Sequence, residues 1–206
     1  DSLLQADHMD GETAREFLND IGDEADRLTR ITEKLLTLTR LDTAPAAEDV
    51  PVDVGAVVER VEHMLSPLAR AVEVSLELKL QPGCVVLATE DDLYQIAFNL
   101  MENAVKYNLP GGRVLVTLTA DGGRVVLRVE DTGVGIPEAD LPKIFDRFYR
   151  VDKARSRAAG GTGLGLSIVR DTVLQHGGAV TARRREPEGT CFEVSFAQWN
   201  GEEVGR

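Results

Sequence analysis

The sequence lacks the patterns that would make it a disulfide scaffold, a zinc domain or a membrane protein. Its two cysteines, Cys84 and Cys191, lie far apart and neither belongs to a CxxC pair. That excludes a disulfide framework and a cysteine zinc site, and it agrees with a reducing cytoplasm. No apolar run approaches the roughly 20 residues needed to span a bilayer, and no signal-peptide pattern opens the chain. A soluble, cytoplasmic chain without membrane contact is expected. Positive charge is scarce as well: 23 Lys and Arg stand against 35 Asp and Glu, a net charge of −12. An acidic surface repels phosphate backbones, so a nucleic-acid partner is not expected.

What is present is ordinary globular material. With 206 residues, 43% hydrophobic and 28% charged, the chain can bury a core without covalent staples. The charge is uneven. Residues 1–53 hold 14 acids and 5 bases, whereas Lys143, Arg147, Arg150, Lys153, Arg155 and Arg157 face only Asp146 and Asp152 in their window. Six bases so close together in an acidic protein are either a local anion site or a solvated basic loop.

Apolar spacing divides the chain. Phe17, Ile21, Leu28, Ile31, Leu35 and Leu38 step by threes, fours and sevens, which predicts one amphipathic helix over 12–41 with a stripe suited to helix–helix packing. Ser2-Leu3-Leu4 reads as the tail of a preceding helix that ends at Asp10-Gly11. Residues 43–51 carry Pro, Ala and acids without apolar period and read as a linker. Further helices are expected over Val54–Ala69, Asp91–Lys106 and Leu164–Gln175. Strands are expected over 72–80, where Val72, Val74, Leu76, Leu78 and Leu80 alternate with polar residues, and over Cys84–Ala88, Ala179–Arg183 and Cys191–Phe196. Val114–Leu118 and Val125–Val129 form a hairpin around Asp121-Gly122-Gly123. This order predicts an α+β fold, a two-layer sandwich with helices on one face of a mixed sheet.

Four segments carry chemistry. On a helix, Asn99 and Asn103 share a face; an amide oxygen suits magnesium and a lysine such as Lys106 suits phosphate. The alternative is a solvated helix face. Asp131-Thr-Gly133-Val-Gly135-Ile-Pro137 follows a strand, so Asp131 is either a buried acceptor for an exocyclic amine or part of an acidic turn. Phe145, Phe148 and Tyr149 are dense for a chain with 5% aromatics, and Phe145 and Phe148 read as pins fixing a loop to the core. Gly160-Gly161-Thr162-Gly163-Leu164-Gly165 opens a helix and bares backbone N–H groups toward an anion. It is neither a P-loop nor a dinucleotide fingerprint. Residues 152–160 (DKARSRAAG), charged and almost without apolar anchors, read as a lid over a triphosphate, mobile without nucleotide.

In this order the segments resemble the N-box, first glycine box, F-box and second glycine box of the catalytic ATP-binding domain of sensor histidine kinases, in the superfamily of gyrase, heat-shock chaperone and mismatch-repair ATPases. The stretch IFDRFYRVDKARSRAAGGTGLGLSIV, then His176-Gly177-Gly178 and Gly189-Thr190-Cys191-Phe192, carry the likeness through 52–197. Arg27–Asp42 is similar to the end of the second dimerisation helix. The resemblance implies a Bergerat-type fold over 52–197, a helical-hairpin remnant over 1–42 and a tail over 198–206. It implies Mg-ATP as ligand, Asn103 as the magnesium ligand, and Lys106 and Arg150 as phosphate contacts. Tyr107 and Asp131 would take adenine, and the N–H groups of Gly161, Thr162, Gly163 and Leu164 would cradle phosphate. Gly133, Gly135, Gly165 and Thr190 complete the nucleotide set.

Asn99 stands where the gyrase-type ATPases carry a water-activating glutamate, so the resemblance implies ATP held for a partner nucleophile. Glu102, the nearest other carboxylate, is expected to point about 100° away from Asn103. No acceptor motif of the form His-Glu-Leu-Arg-Thr-Pro is present: His8 is followed by Met-Asp-Gly, and His63 and His176 fall in the wrong domain. The expectation is a fragment that starts near the end of the first dimerisation helix and cannot phosphorylate itself. Its implied partners are its own dimerisation domain, as a homodimer, and a response regulator. Two other readings are a serine kinase of the anti-sigma-factor type and a nucleotide-responsive module of a phosphatase-dominant sensor.

Overall fold

The computed structural model describes residues 48–152 and 162–201, together with Phe17, Ile21, Gly22 and Thr32. Those four are helical, and Phe17 and Ile21 are exposed. The rest of the helix expected over 12–41, most of the linker, and residues 153–160 of the expected lid lie outside the described residues. So does Gly161.

Strand β1 (Val50–Asp53) pairs antiparallel with β3 (Val85–Ala88) as a small sheet. Val50 and Pro51, read from sequence as linker, are therefore strand residues. Helix α1 (Val54–Ala71) starts where the Asp53 side chain accepts the Gly55 N–H at 2.8 Å, a cap for one orphan donor. Val54, Val57, Val58, Val61, Leu65 and Ala69 are buried along one stripe.

The strand expected from Val72 begins three residues later, as β2 (Ser75–Leu80). Val72 instead caps α1. Glu73 turns into the left-handed region at φ 57°, and the Val74 and Glu73 N–H groups donate back to the Ala69 and Arg70 carbonyls. This Schellman closure satisfies helix carbonyls that extended backbone would leave open. Alternation of side chains did not register it, because Val74 is buried on either reading.

Helix α2 (Glu90–Lys106) is capped by Thr89, whose hydroxyl accepts the Asp92 N–H. Its first turn carries Glu90, Asp91 and Asp92 against the positive end of the helix dipole. The hairpin β4 (Arg113–Asp121) and β5 (Arg124–Asp131) turns at Gly122-Gly123. A long connection, whose described residues include a 3-10 turn (Leu141–Lys143), leads to α3 (Gly165–Gln175), then to β6 (Ala179–Arg184) and β7 (Thr190–Ala197).

The main sheet has the order β2-β4-β5-β7-β6. β2 runs parallel to β4 and every other pairing is antiparallel. Register aligns Val116 with Val129 and Phe192, and Leu118 with Leu127 and Val194. All of these are buried. The opposite face is polar, with Arg128 bonded to Glu193 at 2.7 Å. Burial of one such aliphatic side chain stabilises by about 1.5–3 kcal/mol, so this α+β two-layer sandwich rests on its single helix-covered face. Cys84 and Cys191 are free, buried thiols whose pKa burial pushes up. No helix among the described residues is long and apolar enough to cross a membrane.

Candidate functional site

Between α2, the end of β5 and the start of α3 lies a cavity of about 360 Å³. Asn99, Asn103 and Lys106 reach it because i, i+4 and i+7 fall on one face of α2. Tyr107, the C-cap of that helix, lines it as well, and Thr190 and Phe192 enter from alternate positions of β7. Ile136, Ile144 and Phe192 give it an apolar wall. Phe192 is held edge-on by Phe145 at 6.5 Å between ring centres.

Asp131 closes β5 and is buried. Its Oδ1 accepts the Gly133 N–H at 2.9 Å and the Thr190 N–H at 3.2 Å. No described residue donates to Oδ2, and Asp131 lines the cavity. One oxygen thus fixes the carboxyl group and the other is left to a ligand. Burial raises its pKa, against the two backbone N–H groups and the Arg185 charge, which lower it. The backbone must come very close here: a Cβ on Gly189 would overlap the Asp131 carbonyl, and one on Gly133 would overlap the Tyr107 carbonyl. Glycine at those places is a packing requirement.

On α2, Asn99 is buried and its Nδ2 donates to the Gln95 carbonyl at 2.8 Å, leaving Oδ1 toward Gly165. The Asn103 side chain makes no hydrogen bond with any described residue, so its amide oxygen, a hard neutral donor, fits a magnesium ion. Lys106 Nζ is 2.8 Å from Glu102 Oε1. Helix α3 has no side-chain cap on its N–H groups, and Gly165 at its start lines the cavity with Thr162 and Gly163. Such an end suits phosphate.

Of the residues singled out from sequence, Asn99, Asn103, Lys106, Tyr107, Asp131, Gly135, Arg150, Thr162, Gly163, Gly165 and Thr190 line this one cavity. Gly133 and Leu164 do not. Gly133 packs beneath Tyr107, and the Leu164 N–H is bonded to Thr162 Oγ1 at 3.3 Å while its side chain is buried with Ile168. Two expectations need correction. Glu102 does line the cavity, because its long side chain reaches along the helix to Lys106. Phe148 is 61% exposed and pins nothing to the core; Phe145 does, and Tyr149 is held through its hydroxyl, which donates to Asp140 at 2.7 Å. The apolar wall was missed, although the two-residue spacing of Thr190 and Phe192 placed both on one strand face.

Among known sequences, residues 88–199 match the profile of the family described as histidine kinase-, DNA gyrase B-, and HSP90-like ATPase. The chain is 34% identical over 197 residues to the sensor-like histidine kinase SenX3 of Mycolicibacterium smegmatis, covering 95% of this chain and 51% of that protein. It is 33% identical over 198 residues to the sensor histidine kinase RppB of a Synechocystis species, covering 95% and 44%. The chain thus spans about half the length of these curated relatives. Among solved structures it is similar to the mycobacterial sensor histidine kinase MprB, with TM-score 0.62, 32% identity, 73% of this chain and 97% of that one covered. It is also similar to full-length ShkA in complex with AMPPNP, with TM-score 0.76, 31% identity, 97% of this chain and 42% of that one.

Proposed function

Because the chain belongs to the histidine kinase-, DNA gyrase B- and HSP90-like ATPase family, as the ATP-binding catalytic domain of a histidine kinase, we propose that its Asp131 cavity holds Mg-ATP for transfer of the γ-phosphoryl group to a histidine. The acceptor histidine sits on a dimerisation helix pair, and the phosphoryl group then passes to an aspartate of a response regulator. The observation that carries this reading is Asp131 itself. A buried carboxylate fixed through Oδ1 presents Oδ2 to a cavity whose other end gathers Asn103, Lys106 and the uncapped start of α3.

Oδ2 accepts from the adenine amine; guanine presents a carbonyl at that place and gives the carboxylate no donor. Tyr107 and the wall of Ile136, Ile144 and Phe192 flank the base. Asn103 is the residue that would hold magnesium, which supplies charge neutralisation on the phosphates when bound. Lys106, Arg150 and the N–H groups at Thr162 and Gly163 orient the phosphate chain. Catalysis here is positioning plus electrostatics. Attack by the unprotonated imidazole nitrogen on the γ-phosphorus breaks the bond to the β–γ bridging oxygen, ADP leaves with that oxygen, and the proton on the ring's other nitrogen passes to water. Asn99 cannot take a proton from water at neutral pH, so water is a poor competitor for the phosphoryl group.

The test supplies labelled ATP, magnesium and a separate dimerisation helix pair carrying an acceptor histidine. Label on that partner that is stable to base and labile to acid, as a phosphorus–nitrogen bond is, is expected. Acid-stable label on a serine would favour the serine-kinase reading.

A further inference from the structure

We propose that Glu102 sets the magnesium dependence of nucleotide binding by holding Lys106 in competition with the phosphate chain, an inference that rests on the cavity being the ATP site. Glu102 Oε1 lies 2.8 Å from Lys106 Nζ, and the two side chains are only 18% and 25% exposed. Both line the cavity, next to Asn103. An i,i+4 pair on a solvated helix face is screened and adds a little helix stability. This pair is partly desolvated and shares its space with the ligand, so its charges act on the ligand directly.

The balance of charge gives the direction. Among the described residues lining the cavity, the acids Glu102, Asp131 and Asp152 outnumber the bases Lys106 and Arg150. A metal-free triphosphate must draw Lys106 away from Glu102 or share it. Either way a carboxylate stays beside phosphate oxygens, and like charges there repel. With magnesium on the phosphates two negative charges are cancelled, so the repulsion from a carboxylate beside Asn103 falls and the ion itself is drawn toward it. Glu102 thereby favours Mg-ATP over free ATP while keeping Lys106 Nζ on the cavity wall. It is a positioning residue, not one that touches the reacting atoms.

Calorimetry on the whole chain decides this, with ATP titrated in EDTA and in excess magnesium chloride. Glu102→Gln keeps the shape and removes the charge; the affinity gap between the two forms is expected to shrink by about tenfold, chiefly because metal-free ATP binds better. Glu102→Asp keeps the charge and should keep most of the gap. Lys106→Gln leaves the carboxylate uncompensated and should widen it, which provides a test in the opposite direction if Glu102→Gln folds poorly. A gap unchanged in Glu102→Gln, a gap lost equally in Glu102→Asp, or a gap not widened in Lys106→Gln overturns the proposal. If the unsubstituted chain binds neither form, the ATP site itself is wrong; tight binding with an unmoved gap removes only the role of Glu102.

Discussion

The Phe148 amide donates to the Gly163 carbonyl at 2.9 Å, and both residues occupy left-handed backbone, at φ 67° and 74°. This backbone joint ties the connection after the 3-10 turn to the loop that opens α3, and the Phe148 ring points largely into solvent. A Cβ on Gly163 would lie 2.9 Å from the Phe148 Cα. Gly163→Ala should therefore cost about 1–3 kcal/mol through strain and overlap together, and should weaken nucleotide binding because Gly163 lines the cavity. Gly83→Ala is the control: φ there is 78° with nothing within 4 Å. It should cost only the conformational part, about 1–2 kcal/mol, with binding intact. Thermal melts and calorimetry on both variants check this.

The ring of His176 joins three elements. At the C-cap of α3, its Nε2 is 2.9 Å from Asp92 Oδ2 on α2 and its Nδ1 is 3.1 Å from Asp49 Oδ1 just before β1, with the side chain 2% exposed. The hydrogen bond to Asp92 raises the His176 pKa above 6.5, against desolvation, and the same bond holds the Asp92 carboxyl below 3.8. The stability His176 contributes is fully present below its unfolded value and is lost as pH rises through the higher folded one. The Asp92 contribution is present above its unfolded value and is lost as pH falls through the lower folded one. His176→Gln should cost about 1.5–3 kcal/mol near pH 6, the scale of a hydrogen bond to a charged group. The difference from the unsubstituted chain should narrow in melts run toward pH 9.

Asn99 and the chain's three histidines make a prediction about turnover. With labelled ATP and magnesium alone, phosphate release should be very slow and no stable phosphohistidine should form. His176 is locked between two carboxylates and buried, and His63 sits on the exposed side of α1, away from the cavity. Label on His8, His63 or His176, found by peptide mapping, contradicts the reading. So does brisk phosphate release that vanishes in Asn99→Ala.

Sequence reading reached the α+β sandwich because its elements are written in plain periods. The stripe of Val57, Val58, Val61 and Leu65 reads as helix, and the alternation through Val114, Val116 and Leu118 reads as strand. It missed the turn at Val72–Val74, since a helix cap made by backbone bonds with Glu73 at positive φ has no side-chain signature. Within the site, residues with distinctive chemistry were legible: Asn99, Asn103, Lys106 and Asp131. Phe148 was misread because aromatic density says nothing of backbone handedness, which turns its ring outward. Glu102 was misread because helical phase fixes a Cβ direction and not the reach of a glutamate toward a lysine one turn on.

Asp131 separates binding from folding. Its pKa is raised by burial, so ionisation opposes the folded state as pH climbs past the unfolded value. Asp131→Asn should keep or raise the melting temperature at neutral pH while losing affinity for ATP, a pattern no general destabilisation produces. ATP affinity of the unsubstituted chain should also fall as pH drops through the raised Asp131 value, because the protonated carboxyl is a weaker acceptor.

The most direct measurement is calorimetry of the unsubstituted chain and Asp131→Asn with Mg-ATP and Mg-GTP at neutral pH. ATP should bind in clear preference to GTP, and Asp131→Asn should lose about 1.5–3 kcal/mol of ATP affinity with the preference largely erased. Equal affinity for the two nucleotides in the unsubstituted chain, or an Asp131→Asn variant that binds ATP unchanged, would contradict the assignment of this cavity.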